Sequence, residues 1–223
     1  MNRITKSPVN EANIFSNIPE NDLVFAGAYD TVPYNVYNPN KLLEQLLMKS
    51  TGIGENWSTK ISVDDFNPKT ATNKQKGNYG EIISSDNLLN NPSLKEAGYD
   101  LKPVGRDAPS SIDDKIVRGI DGLYENTNPN SNIKYVIDEA KFGGGRLGET
   151  KDGKQMSDGW LLGEKTRRSR ILKAVDGDKD LAFKIRIALE ENEVERVLSR
   201  VDDSGNVKTY RLDTDGNILG EWP

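Results

Sequence analysis

The sequence contains no cysteine and no histidine. Without cysteine the chain has no disulfide, no thiolate nucleophile and no thiolate ligand for zinc, and it suits a reducing compartment. Without histidine, the Ser-His-Asp triad, the Cys-His pair, the His-metal nucleases and the His acid/base ribonucleases are all excluded. Any hydrolytic chemistry must therefore use carboxylates, Lys, Tyr, Arg and a metal ion. Oxygen-only ligation favours Mg²⁺ or Mn²⁺ as that ion.

Long hydrophobic runs are also missing. Hydrophobic residues make up 35% of the 223 positions, and no apolar stretch approaches the roughly 18 residues of a transmembrane helix. Residues 1–16 lack the apolar centre of a signal peptide. The formal net charge of −5 argues against a passive nucleic-acid coat, which would be basic, although a local basic patch can still bind phosphate. We expect a chain without a membrane-spanning segment.

The first third of the chain differs in amino-acid composition from the rest. Residues 1–72 are rich in Asn and Pro, and one amphipathic run, 41–49 (KLLEQLLMK), predicts a short core helix. A small satellite core is predicted from four apolar residues, Trp57, Ile61, Val63 and Phe66. The polar stretch 67–77 is interpreted as a linker. We therefore predict an N-terminal region over 1–72 and a second domain over 73–223.

After this boundary, periodic patterns predict alternating helices and strands. Helical spacing predicts helices over 79–89, 154–175 and 179–191. Runs of β-branched and aromatic residues predict strands over 99–104, 117–124, 133–141, 194–201 and 207–212. Turn residues predict hairpin loops at 125–131 and 202–206, so that strands 117–124 and 133–141 pair antiparallel. The segment DTDGN at 213–217 is interpreted as a turn, because its spacing fails the calcium-loop pattern.

The segment 133–141 (IKYVIDEAK) is the centre of the interpretation. Because side chains alternate along a strand, Glu139 and Lys141 point to one face and Ala140 to the other. A carboxylate and an ammonium group then stand side by side at a strand end, which is half of a metal-dependent phosphodiesterase site. The structural alternative is that Glu139 and Lys141 form only an ion pair.

Two further acids complete the predicted site. Asp121 lies in an apolar strand predicted to pair with the Glu139 strand, and Glu81 is predicted in the first turn of a helix after GNYGE. Each alone has a structural explanation: Asp121 as a turn residue, and Glu81 as an acid favoured by the helix dipole. Two carboxylates about 4 Å apart repel by roughly 4 kcal/mol at an effective dielectric near 20. Convergence of all three would therefore call for a divalent cation.

Two further segments bear on phosphate binding. Five basic residues lie within nine positions, either as phosphate contacts or as a solvated helix face: Lys165, Arg167, Arg168, Arg170 and Lys173. The segment 143–148 (GGGRLG) matches GxGxxG. A dinucleotide site would also need an immediate helix and an acid ending a second strand. We interpret it instead as a mobile loop that lets a phosphate backbone approach.

The motifs GNYGE, GIDGLYEN, YVIDEAKFGGGRLG and DGKQMSDGW together resemble a known family. They are similar to the C-terminal nuclease domains of bacterial polymorphic toxins, contact-dependent growth inhibition effectors above all, within the PD-(D/E)xK nuclease superfamily. The resemblance covers about residues 75–212. It implies an α/β fold, with a mixed central sheet flanked by helices in a restriction-endonuclease-like core. One departure is Ile120, where the superfamily pattern has Pro before the acid.

The resemblance also implies roles for individual residues. Glu81, Asp121 and Glu139 would be the metal ligands, and Lys141 would orient the nucleophilic water or stabilise the phosphate in the transition state. Gln155 would be a supporting polar residue. The ion would be Mg²⁺ or Mn²⁺, with Zn²⁺ possible through the resemblance.

The implied function is a metal-dependent endonuclease, acting on DNA rather than RNA. The enzyme would be an interbacterial toxin, delivered from the cell surface as the C-terminal part of a larger effector and acting in the target-cell cytoplasm. Residues 1–72 would correspond to a cytoplasm-entry domain, and a cognate immunity protein would neutralise the toxin. Two alternatives stay open: a ribonuclease or tRNA-cleaving toxin with the same site, and a non-catalytic binding or adhesion module whose acids are structural.

Overall fold

A computed structural model describes residues 66–223 of the chain. Predictions that fall on earlier positions lie outside this part: the N-terminal region up to residue 65, the helix over 41–49, and the contributions of Trp57, Ile61 and Val63 to a satellite core. Phe66 is described, and its ring stacks on Tyr79 at a centroid distance of 3.8 Å and meets Phe142 edge-on at 5.5 Å. Phe66 thus packs, together with Phe142, against the cluster of buried residues that contains Tyr79.

A six-stranded mixed sheet forms the centre of the described part, in the order β1-β2-β3-β6-β7-β8. Its strands are β1 (Leu101–Pro103), β2 (Gly122–Asn126), β3 (Tyr135–Phe142), β6 (Val194–Val201), β7 (Val207–Leu212) and β8 (Ile218–Glu221). Neighbouring strands pair antiparallel except β3 and β6, which are parallel. A separate short hairpin pairs β4 (Glu149–Thr150) with β5 (Gly153–Lys154).

Helices cover both faces of this sheet. They are α1 (Asn73–Asn90), α2 (Pro92–Glu96), α3 (Asp158–Leu162), α4 (Arg170–Ala174) and α5 (Lys179–Glu190). In β3, Tyr135 and Ile137 pack in one hydrophobic cluster with residues of α3, α4 and α5. Val136 lies in another, with Leu88 of α1. This alternation confirms the predicted α/β fold, in which a mixed sheet is flanked by helices.

The hairpins are the best-predicted elements. β2 and β3 pair antiparallel across the 127–134 loop, and β6 and β7 occupy 194–201 and 207–212 as predicted. The segment Asp213–Asn217 is a turn, closed by hydrogen bonds from the Asp215 and Asn217 amides to the Asp213 carboxylate. It leads into β8, a strand that the sequence analysis did not predict. The segment 143–148 leads into a hairpin and not a helix, as expected if it is no dinucleotide site.

The first helix begins earlier than predicted, so the interpretation of 67–77 as a linker is wrong for its second half. Thr72 caps the helix: its hydroxyl accepts from the Gln75 amide, and the Gln75 side chain accepts from the Thr72 amide. This reciprocal pair is a capping box. Glu81 is consequently the ninth residue of α1 and not in its first turn, so the helix-dipole explanation for this acid does not apply.

The predicted long helix over 154–175 is also wrong. Ser157 caps α3 and Ser169 caps α4, so each short helix has its own start. Gly163 ends α3 with a φ of +69°, and a Cβ there would lie 2.3 Å from the Arg168 carbonyl oxygen. The chain therefore turns sharply between the two helices, and the basic residues are distributed over a loop and a short helix.

The predicted strand over 117–124 begins only at Gly122, and residues 117–121 are irregular. The strand predicted over 99–104 is likewise reduced to 101–103. Asp121 thus lies just before β2, where the chain enters the sheet.

Within residues 66–223, no helix combines the length and the apolarity needed to cross a bilayer.

Candidate active site

All five predicted site residues line one cleft of about 1040 Å³ at the end of β3. They come from separate parts of the fold: Glu81 from α1, Asp121 from the start of β2, Glu139 and Lys141 from β3, and Gln155 from the turn after β5. Residues far apart in sequence are thus brought together by the pairing of β2 with β3 and the packing of α1 on β3. Gly80 of α1 lies against β3 at this point, where a Cβ would be in ordinary contact with the Phe142 amide nitrogen at 3.5 Å.

Glu139 and Lys141 lie on the same face of β3. The Lys141 ammonium contacts Glu139 Oε1, and the Glu139 side chain is only 3% exposed. The second carboxylate oxygen, Oε2, is buried and accepts no hydrogen bond from the described residues. Burial raises the pKa of Glu139 above its usual value, and the Lys141 charge opposes this shift only in part. Glu139 therefore carries an oxygen without a partner in a site that disfavours its charge.

Asp121 lies against the same strand. Gly122 pairs with Asp138 in the β2–β3 register, and the Ala140 amide donates to Asp121 Oδ2 over 3.0 Å. Burial raises the pKa of Asp121 well above its usual value, and the charges of Glu139 and Glu81 add to the shift. Mutual repulsion of this kind is expected where carboxylates share a site.

Glu81 approaches from α1 and is held by a residue that the sequence analysis missed. Arg106 Nη2 lies 2.6 Å from Glu81 Oε2 and 3.5 Å from Asp121 Oδ1. Desolvation raises the pKa of Glu81, although the hydrogen bond from Arg106 opposes the shift. Arg106 follows a short strand in an ordinary-looking loop, and nothing in the local sequence distinguishes it.

Gln155 links two parts of the site. Its Nε2 donates to Glu139 Oε1 over 2.9 Å, and its Oε1 accepts from the Gly148 amide over 2.7 Å. The side chain therefore connects the end of the glycine-rich segment to Glu139. Gln155 thus contacts Glu139 inside the cleft, and its supporting role stays a prediction.

The ligand chemistry fits a hard divalent cation, although the present arrangement is not a ready coordination sphere. Glu139 Oε2 is a buried carboxylate oxygen without a partner, and the pKa values of the three acids are all raised. Carboxylate oxygens of this kind are what Mg²⁺ and Mn²⁺ prefer. Nevertheless, no group of three acids in the described part is arranged to hold an ion. Asp121 and Glu139 are the pair best placed to hold one, with Glu81 beside them.

A fourth carboxylate is buried behind the cleft. Asp138 is 2% exposed and accepts hydrogen bonds from the Ser84 hydroxyl over 2.6 Å and the Ser199 hydroxyl over 2.7 Å. Burial raises its pKa to about 7, against the opposing effect of both serine hydrogen bonds. Asp138 points to the opposite face of β3 from Glu139 and ties that strand to α1 and β6.

The basic residues divide into two groups. Arg168, Arg170 and Lys173 line the cleft, together with Lys76, Arg118 and Lys141. Lys165 and Arg167 are not among the cleft-lining residues of the described part. Among the described residues that line the cleft, six are cationic and three are acidic, which gives a locally positive surface on an acidic protein.

Asp152, a second residue that the sequence analysis missed, orders this basic segment. It is 4% exposed, and its carboxylate accepts from the amides of Lys165 and Thr166, the Thr166 hydroxyl and Arg170 Nη1. Desolvation alone would raise the pKa of Asp152, but the hydrogen bonds from Thr166 and Arg170 outweigh it and hold the pKa below its usual range. The hairpin β4–β5 thus fixes Arg170 in the cleft wall.

Comparison with protein-family models, with curated proteins and with solved structures found no significant match for this chain.

Proposed function

We propose that this protein is a metal-dependent endonuclease that cleaves nucleic acid phosphodiester bonds. The observation that carries the proposal is the meeting of Asp121, Glu139, Glu81 and Lys141 in one cleft whose remaining charged lining is basic. Acids alone would suit a cation site, and cationic side chains alone would suit an anion site. A cleft that contains both acidic and cationic side chains can bind a polyanion such as a nucleic acid and hold the metal ion needed to cleave it.

Each side chain has a role in this proposal. Asp121 and Glu139 would hold a divalent cation, Mg²⁺, Mn²⁺ or Zn²⁺, and Glu81 would add a third carboxylate beside it. A bound ion of this kind polarises the scissile phosphate and lowers the pKa of a water molecule. Lys141 positions the attacking water and balances charge at the phosphate. Gln155 fixes the orientation of the Glu139 carboxylate through its hydrogen bond.

The cleft wall supplies the substrate contacts. Arg168, Arg170 and Lys173 bind the phosphate backbone, because guanidinium and ammonium groups supply affinity for phosphate regardless of base sequence. Lys165 and Arg167, which the sequence analysis grouped with them, have no such place in the cleft wall. We propose DNA as the substrate, following the family resemblance. RNA is the alternative outcome of the same experiment.

The biological setting is proposed from the resemblance alone. The chain would be a toxin in competition between bacteria, delivered as the C-terminal part of a larger effector and neutralised by a cognate immunity protein. Regulated expression in the cytoplasm of a bacterial host tests this: we expect growth arrest and loss of chromosomal DNA. Growth arrest with intact DNA and cleaved tRNA would instead indicate a ribonuclease toxin.

Purified protein tests the chemistry. Supercoiled plasmid and total RNA are incubated separately with Mg²⁺, Mn²⁺ or Zn²⁺, and with EDTA. We expect the plasmid to be nicked and linearised with a divalent ion and to stay intact with EDTA. Glu139→Gln and Lys141→Ala should each lower the cleavage rate about 100-fold or more. Glu96→Gln and Lys102→Ala are matched controls at exposed positions, and both should cleave normally. Folded wild-type protein that cuts neither substrate with any ion would refute the proposal and favour a binding module.

A further inference from the structure

Besides Lys141, which contacts Glu139, the fold places a second cation, Arg106, among the acids of the cleft. Its Nη2 lies 2.6 Å from Glu81 and 3.5 Å from Asp121, and its side chain is 15% exposed. It joins an acid of α1 to the acid at the start of β2, and so connects two elements that would otherwise bring like charges together.

The position of Arg106 is fixed by the backbone on both sides. The Arg106 amide donates to the Ala174 carbonyl over 2.9 Å, and Nε lies 3.3 Å from the Ile120 carbonyl oxygen. Gly105 allows this approach: a Cβ there would lie 2.8 Å from Leu123 Cβ, closer than a side chain tolerates. Arg106 is thus held by the segment before Asp121 and by the end of α4, and its side chain is largely buried.

The acids of the site are nearly balanced by the cations beside them. Glu81, Asp121 and Glu139 carry three negative charges when ionised, and Arg106 and Lys141 carry two positive charges. The cluster is therefore near neutrality without any ion, which explains how three carboxylates can gather in a partly buried site. A divalent cation entering this cluster meets two positive charges as well as three negative ones.

We propose that Arg106 is a built-in counter-ion: it lets the acidic cluster assemble before a divalent cation arrives and makes the cluster bind that cation more weakly. This inference rests on the metal dependence in the proposed function. Arg106 is a positioning residue, since it acts through Glu81 and Asp121 and not on the substrate.

The test measures cation affinity without any reaction. Binding of Mn²⁺ to wild-type protein at pH 7.5 is followed by the electron paramagnetic resonance signal of the free ion. Arg106→Gln should lower the dissociation constant for Mn²⁺ about 10-fold or more, because one positive charge has left the site. The same variant should melt at a lower temperature without metal. Arg106→Lys keeps the charge and should bind Mn²⁺ nearly as wild type does. Arg146→Gln removes a charge from an exposed loop position and should change neither quantity.

A second comparison covers the case in which Arg106→Gln does not fold. Removing both members of the Arg106–Glu81 pair takes away one charge of each sign, so Glu81→Gln/Arg106→Gln should fold better than Arg106→Gln alone. Glu81→Gln and this double variant differ only in Arg106. The double variant should bind Mn²⁺ about 10-fold more tightly than Glu81→Gln.

The outcomes separate this inference from the function it rests on. If wild-type protein binds Mn²⁺ and loss of Arg106 leaves the affinity equal or weaker in both backgrounds, Arg106 is only structural and the inference is overturned. If neither wild type nor any variant binds Mn²⁺, Mg²⁺ or Zn²⁺, the proposed metal-dependent function fails with it. A lower melting temperature of Arg106→Gln without tighter Mn²⁺ binding in either background overturns the inference, because loss of any buried ion pair lowers the melting temperature.

Discussion

The amide of Ala140 donates a hydrogen bond to the Asp121 carboxylate over 3.0 Å. Ala140 stands between Glu139 and Lys141 on β3, so this single bond positions Asp121 against both residues of the E-A-K sequence. Asp121 lies outside the ladder of β2, where its side chain can turn toward the strand end. Because the donor is a backbone amide, substitution of the neighbouring side chains in the cleft does not remove this hydrogen bond.

Substitution of Asp121 by Asn tests the site while sparing the fold. The amide oxygen of Asn can still accept from Ala140, and one charge is removed from a set of mutually repelling acids. We expect cleavage to fall about 100-fold or more, with a melting temperature of the metal-free protein equal to or above that of wild type. Plasmid cleavage and thermal unfolding provide the two measurements. Asp203→Asn, at an exposed turn position, is the control. Cleavage within a few-fold of wild type would remove Asp121 from the proposed machinery.

The sequence was most informative where local patterns and tertiary structure agree. Strand β3 and the β6–β7 hairpin combine β-branched runs with turn residues, so their boundaries were predicted within a residue or two. The same alternation correctly placed Glu139 and Lys141 on one face. The register of β2 against β3 then brought Asp121 to its predicted neighbour, even though Asp121 is not itself in a strand.

The sequence analysis missed some helix boundaries because it overlooked N-capping residues, and it missed two site residues whose roles depend on tertiary contacts. Thr72, Ser157 and Ser169 each cap a helix, and weighing them would have moved α1 earlier and divided the predicted 154–175 helix. Arg106 is different, because its role depends on contacts with residues 25 and 15 positions away. No local pattern encodes such contacts. Asp152 is similar, since an acid in a Gly-containing turn looks like an ordinary turn residue.

The buried acid Asp138 predicts a pH dependence of stability. Its pKa is about 7 in the folded protein and about 3.9 in an unfolded chain. A raised pKa means that its contribution to stability is present below about pH 4 and is lost as the pH rises toward 7. With EDTA present, the free energy of unfolding should fall between pH 4 and 7, by at most about 4 kcal/mol from this group.

The variant Asp138→Asn should lose this part of the pH dependence. Glu81, Asp121 and Glu139 have pKa values raised in the same direction, so some dependence remains. Urea unfolding of both proteins across pH 4 to 8 measures the difference. Equal slopes for wild type and Asp138→Asn would show that Asp138 does not titrate in this range. Asp203→Asn again serves as the exposed control.

Loss of Asp152 should disorder the basic wall of the cleft. Asp152→Ala leaves Arg170 without its carboxylate partner and frees the Lys165 and Thr166 amides. We expect a melting temperature several degrees lower and weaker binding of nucleic acid, because Arg170 loses its ion pair and keeps only its contacts with Trp160. Differential scanning calorimetry and fluorescence anisotropy with a labelled duplex measure both effects. Lys151→Ala, next to it and exposed, should leave both unchanged. Normal affinity in Asp152→Ala would mean that Arg170 needs no support from this hairpin.

Adjacent arginines provide a matched test of the phosphate contacts. Arg167 and Arg168 are both exposed, but only Arg168 is among the cleft-lining residues of the described part. Both carry the same charge, so Arg168→Gln and Arg167→Gln change the net charge equally. In a cleavage-deficient Asp121→Asn background without metal, Arg168→Gln should weaken duplex binding and lower the slope of log affinity against log salt by about one. Arg167→Gln should keep the slope of the parent protein, because Arg167 is not placed to contact a phosphate in the cleft. Equal effects of the two substitutions would show that the basic segment acts through net charge alone, without a defined path for the phosphate backbone through the cleft.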